Sequence, residues 1–163
     1  GIRSMTQTQN WIGNRQLWSH TLSVNPDSYV AMVSLAQEAM DTNASDAVGD
    51  SLRRALKLNP NYVRTHQALR DFYTIRRQID PAIVHFRRSL EIMETFPDSQ
   101  RPDLAPEYLA LAELLLARGR TAEALVAAKK SRQISPANPA VPAMLDRIRA
   151  ATSRPTTAPA NRR

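Results

Sequence analysis

The sequence predicts an all-α fold, a solenoid of helical hairpins built from a half repeat, three full repeats and a capping helix. Two observations carry the prediction. Pro26 and Pro60 stand 34 residues apart, and the apolar residues between them return in the same order twice downstream, a period typical of helical-hairpin arrays. Within each unit the apolar positions fall on two separate helical faces joined by a turn, which is the pattern of a hairpin rather than of one long helix.

Taking Tyr29, Val63 and Ala105 as position 1 aligns three units. Position 7 reads Leu35, Leu69, Leu111; position 20 reads Val48, Ala82, Ala124; position 24 reads Leu52, Phe86, Ala128; position 27 reads Ala55, Ser89, Ser131. Small residues stand where helices must approach closely and larger ones fill the gaps between them. Positions 4, 7, 8 and 11 share one face of a first helix, and 20, 24, 27 and 28 one face of a second.

The first helix of unit one is expected over Ser28 to Asp41, and its second from Ser45 and Asp46, whose side chains can accept hydrogen bonds from first-turn amides. Asp80 followed by Pro81 marks the same start in unit two. In unit three Gly119 supplies the turn, because glycine tolerates left-handed dihedrals.

Two places interrupt the array. The step from Val63 to Ala105 is 42 residues, so eight extra residues lie near Glu94 to Leu104, where Pro97, Asp98 and Pro102 predict a helix overrun followed by a loop. Counting back from Pro26 gives only a second helix, with Trp18 at position 24, and the lead Gly1–Ser4 reads as an expression scar on a piece of a longer chain. Trp11 and Trp18 are seven residues apart, hence on one face, which makes them the candidates for self-association as a homodimer.

After Pro136, residues Val141, Met144, Leu145 and Ile148 recur at helical spacing with Asp146, Arg147 and Arg149 opposite them, as a solvating cap requires. The organisation is therefore a flexible lead over 1–9 and a repeat domain over 10–151, followed by a basic, disordered tail over 152–163. Within the domain the half repeat spans 10–28, the repeats 29–62, 63–104 and 105–138, and the cap helix 139–151.

These residues resemble the tetratricopeptide repeat (TPR) family over Asn10 to about Ala151. The match keeps about half of the family pattern; Met32, His66 and Tyr108 stand where tryptophan is usual, and Ala36, Arg70 and Ala112 where glycine is usual. Arg70 is the awkward departure, since a long cation at a close helix contact must snorkel or push the helices apart. The resemblance implies a TPR-like right-handed superhelix that binds a protein or peptide along successive first helices. Positions 2, 5, 9, 12 and 13 then line the groove. They are Val30, Val33, Gln37, Met40 and Asp41 in unit one; Arg64, Gln67, Asp71, Thr74 and Ile75 in unit two; and Pro106, Leu109, Glu113, Leu116 and Ala117 in unit three.

The same comparison argues against a chaperone-tail binder. Where such members carry cations for a terminal carboxylate, this chain has Val33, Gln37, Ala68, Pro106 and Ala110, which would leave the carboxylate unpaired. A narrower resemblance, over Leu17 to Tyr29, is to the segment that opens the repeats in some bacterial glycosyltransferase-like membrane proteins. It implies a soluble regulatory or recruitment tail, with membrane attachment only through a missing upstream domain.

Composition limits the alternatives. The net charge of +7 includes Arg154, Arg162 and Arg163 in the tail and Arg3 and Arg15 at the start, which leaves little excess for a nucleic-acid or anionic-membrane adaptor. The absence of cysteine excludes disulfides and leaves the compartment open. His20, His66 and His85 show no carboxylate or second histidine at ligand spacing on a shared face, and the four glycines form no phosphate loop. No enzyme activity, cofactor or metal is expected, and the leading reading is a non-catalytic scaffold for a protein or peptide partner.

Overall fold

The structure, a computed structural model, describes residues 15–153. These form helices joined by turns and loops, with no strand among the described residues. Helix α1 occupies 15–24 of the described residues. It is followed by α2 (Tyr29–Met40), α3 (Asp46–Leu58), α4 (Val63–Ile75), α5 (Ile79–Glu94), α6 (Ala105–Ala117), α7 (Thr121–Ile134) and α8 (Ala140–Ser153). The chain divides into two compact units, the first ending at Thr95 and the second beginning at Phe96. That boundary falls in the stretch where the repeat spacing is interrupted.

In the first unit α2 pairs with α3 and α4 with α5, and α4 also packs against α2 and α3. Met32, Val33, Ala36, Met40, Val48, Leu52, Ala55, Ala68, Leu69 and Phe72 form its core cluster, and Leu22 of α1 packs against it. In the second unit α6 pairs with α7, and α8 lies against both. The aligned small and apolar positions carry this packing: Leu52, Ala55, Leu69, Ala82, Ser89, Ala124, Ala128 and Ser131 are all buried. Position 27 is a close contact with a polar solution in two of the units, Ser89 Oγ donating to Phe86 O at 2.7 Å and Ser131 Oγ to Ala105 O at 2.8 Å.

The helix starts differ in detail from expectation. Ser28 caps α2, its Oγ accepting from Ala31 N at 3.4 Å. Ser45 precedes α3 but makes no side-chain cap bond; its backbone carbonyl takes the amides of Val48 and Gly49 at 3.1 and 3.2 Å. Helix α5 begins at Ile79, one residue before Asp80, and Pro81 sits in its first turn, where a missing N–H costs nothing. At sixteen residues, against thirteen in α3, it overruns before the loop that leads to Leu104.

Both later hairpin turns place position 15 in the left-handed region: Gly119 at φ 71° and Arg77 at φ 57°. Around Arg77 the bonds Gln78 N to Tyr73 O (2.8 Å) and Arg77 N to Thr74 O (3.0 Å) form a Schellman closure, repeated around Gly119 by Arg120 N to Leu115 O and Gly119 N to Leu116 O, each 2.9 Å.

The capping helix buries Val141, Met144, Leu145 and Ile148 and exposes Asp146, Arg147 and Arg149. It continues past Ala151 through Thr152 and Ser153, so the helical spacing persists into residues whose composition suggests a tail; the rest of the expected tail, 154–163, lies outside the described residues. Trp11 and the lead also lie outside them. Trp18 is half-buried, whereas Leu17 and Val24 on the same helix are 55% and 72% exposed. No described helix is long and apolar enough to cross a membrane.

Candidate functional site

In the second unit, α6 and α8 enclose a cleft of about 450 Å³ lined by Pro106, Leu109, Ala110, Glu113, Asn138, Ala140, Ala143, Met144 and Arg147. Three alanines, Ala110, Ala140 and Ala143, stand among the longer side chains that line it. Glu113 and Arg147 close one edge as an exposed ion pair, Arg147 Nη1 donating to Glu113 Oε1 at 3.2 Å. Asn138 orders the other edge, its Oδ1 accepting from Ala140 N at 3.0 Å. Leu109 and Glu113 are groove positions in the repeat alignment; the α8 contribution is not foreseen there. Yet Ala140, Ala143 and Arg147 are positions 2, 5 and 9 of a further 34-residue count from Pro139, so continuing the repeat through the cap would find them.

In the first unit α2 and α4 present the corresponding positions. Arg64, Thr74 and Asp41 are exposed, and Val30, Gln37, Gln67 and Asp71 are half-buried. Val33 and Met40 are not on the groove surface: they are 1% and 9% exposed and belong to the core cluster. Burying them removes apolar area from water, which a groove position would leave unrealised. Several polar groups are already engaged, Arg70 Nε with Asp71 Oδ1 at 2.8 Å and Thr74 Oγ1 with Arg70 O at 2.8 Å. Leu116 of the second unit is half-buried on α6 but does not line the α6–α8 cleft.

The α4–α5 hairpin brings together three rings that stand apart in the sequence. His66 Nδ1 lies 3.1 Å from His85 Nδ1, His66 Nε2 lies 2.9 Å from Pro60 O, and the ring of Tyr73 stacks on His85 at 5.6 Å and 5°. The contact between the two histidines lies outside the sequence expectation, which concerns ligand spacing on one shared face. The two are nineteen residues apart on consecutive helices, so their meeting depends on hairpin closure, which spacing along one helix cannot reveal. Burial, then the neighbouring His66, pushes His85 down to about 4. Burial also holds His66 below the usual imidazole range, with Arg88 adding to the effect and the Pro60 carbonyl and Glu91 opposing it. No group of three or more ligand-type side chains that could hold a metal occurs among the described residues.

Stacked helical hairpins with a cleft between successive first helices define a repeat protein of the solenoid class. The solved structures place it further: the chain has the tetratricopeptide-repeat fold. Two structures of MamA match with TM-scores of 0.70 and 0.65, each at 15% identity, covering 92% and 93% of this chain and 78% and 90% of theirs. YrrB, described as a TPR protein with an unusual peptide-binding site, matches at a TM-score of 0.61 and 11% identity, over 83% of this chain and 73% of its own. TTC0263, a TPR protein of Thermus thermophilus, matches at 0.51 and 20% identity, over 92% of this chain and 77% of its own. No family model matches, and no curated protein is significantly similar in sequence.

Proposed function

We propose that the chain is a non-catalytic protein–protein interaction scaffold that holds a peptide or partner helix against its successive first helices. The observation that carries this reading is the α6–α8 cleft, in which positions 2, 5 and 9 of two consecutive first helices leave open an apolar space edged by Glu113 and Arg147. Such a surface suits a partner that buries an apolar side chain there while polar groups at the rim set its direction. The peptide-binding site described for YrrB, which shares the fold, supports it. In the first unit Arg64, Gln37, Gln67 and Asp71 offer polar recognition on α2 and α4.

The test is capture of a partner from source-cell extract, followed by affinity measurement with the purified pair. Ala143→Trp fills the cleft and Leu109→Arg places a charge on its floor; each is expected to weaken binding about tenfold or more. Arg132→Glu, on the exposed face of α7, should leave it within about twofold. Binding that ignores both cleft variants and collapses with added salt would replace this reading with a charge-driven adaptor.

A further inference from the structure

The contact between His66 on α4 and His85 on α5 has a protonation state that its geometry fixes. A backbone carbonyl can only accept, so the 2.9 Å contact with Pro60 O places the hydrogen of His66 on Nε2. The Nδ1 of neutral His66 is then an acceptor, and the 3.1 Å contact requires His85 Nδ1 to donate to it. The result is a directed chain from His85 through His66 to the loop carbonyl, with Tyr73 covering one face of His85.

The surrounding charges do not favour a cation here. Arg88 and Glu91 of α5 act on His66 with opposite signs, and they pair with each other at 3.0 Å, Arg88 also bonding Asn61 at 3.0 Å. Arg53 of α3 reaches Tyr73 and Asp50 rather than either imidazole. The charge that Glu91 would stabilise on His66 is offset by Arg88, and burial disfavours a cation on both rings.

We propose that His66 and His85 form an acid-sensitive clasp that ties α4 to α5 at neutral pH and releases it when both rings are protonated. A first proton goes to His66 Nδ1, because His85 is the weaker base, and the contact survives once His85 carries its own hydrogen on Nε2 and accepts at Nδ1. A second, on His85 Nδ1, sets two N–H groups against each other and puts two positive charges in contact. The depressed affinity of both rings for protons keeps the clasp closed through the neutral range. Because α4 carries Arg64, Gln67 and Asp71, opening would disturb partner binding in the first unit. That consequence rests on the scaffold reading; the clasp itself does not.

Hydrogen exchange of the full chain, followed by mass spectrometry at pH 7 and near pH 4 and corrected for intrinsic rates, tests the clasp directly. Protection across α4 and α5 is expected to fall about tenfold or more in acid while α6 and α7 change less. His85→Phe keeps a ring against Tyr73 but cannot be protonated, and should remove most of that selective fall. An equal fall in His85→Phe, or a uniform loss of protection over both units, would overturn the proposal. If His85→Phe does not fold, the imidazole titrations of the unsubstituted protein decide. Two transitions below the ordinary histidine range, the lower coinciding with loss of α4 and α5 protection, support the clasp, and independent titration near the ordinary value overturns it.

Discussion

The ring of Phe72 on α4 closes directly over Gly49 on α3: a Cβ built on Gly49 would lie 2.6 Å from Phe72 Cζ and 3.0 Å from Cε1. Phe72 is 1% exposed and belongs to the core cluster, so its ring has no free space into which to retreat. Gly49→Ala sets two effects against each other. Alanine favours a helix interior by up to about 1 kcal/mol, whereas overpacking a filled core costs about 1–3 kcal/mol. The clash wins, with an expected net loss of about 1–2 kcal/mol in urea unfolding. Phe72→Leu in the same chain should make the added methyl less costly, and a double-mutant cycle with no coupling would refute the contact as the cause.

Arg77 and Gly119 fill the same repeat position with the same left-handed backbone, at φ 57° and 71°. A residue with a Cβ is strained there, and glycine is not. Arg77→Gly is therefore expected to stabilise by about 0.5 kcal/mol, the relief of strain being reduced by glycine's extra freedom in the unfolded chain. Gly119→Ala should destabilise by about 1 kcal/mol, wholly through dihedral strain because a Cβ there meets nothing within 4 Å. Opposite shifts of the denaturation midpoint in the two variants are the outcome to measure, and a stabilising Gly119→Ala would contradict the account.

The repeat alignment makes the hairpins legible because close helix packing leaves its mark on residue size. Ala55, Ser89 and Ser131 can be placed inside from their spacing alone, and all three are fully buried. The glycine at 119 likewise announces its dihedral, but Arg77 in the equivalent turn does not, since its conformation is imposed by the hairpin against its own preference. The groove is legible as a set of positions and not as a surface. Val33 and Val30 are the same residue type three apart, and only tertiary packing decides that the first is core and the second half-buried. The contribution of α8 to the cleft is hidden because a polar outer face reads as a cap whether or not the inner edge also faces a groove. The histidine contact is out of reach for a different reason: it joins two helices whose relative rotation no periodicity specifies.

Arg70 stands at a close helix contact where the repeat favours glycine, and it neither unfolds the hairpin nor escapes to solvent. Its side chain is 21% exposed, with Cζ 4.7 Å above the Phe86 ring and Nε bonded to Asp71 at 2.8 Å. Phe86 in turn occupies a position held by leucine and alanine in the other units, so the two departures form one contact. Arg70→Ala is expected to cost about 1–2 kcal/mol from lost stem packing and cation–π attraction. Arg70→Lys should lose part of this, because an ammonium does not stack as a planar guanidinium does. Equal stability of Arg70→Lys and the unsubstituted chain would show that charge alone suffices.

The same two histidines that join α4 to α5 predict how stability varies with acidity. Both are held below the usual imidazole value of 6.5, His85 at about 4, chiefly by burial. Each therefore binds protons more weakly in the folded chain than in the unfolded one. Between these values the unfolded state carries more protons, so stability falls as pH falls through that window and is unaffected above it. The loss is on the order of 2 kcal/mol by pH 4. Asp46, whose carboxylate is stabilised by a hydrogen bond from Arg76, titrates below its ordinary range and contributes only at lower pH. Urea unfolding at intervals from pH 8 to pH 4 should be flat down to the ordinary histidine value and then slope downward. His85→Phe should retain the flat part and lose most of the slope, whereas a profile unchanged by that substitution would place the acid sensitivity elsewhere.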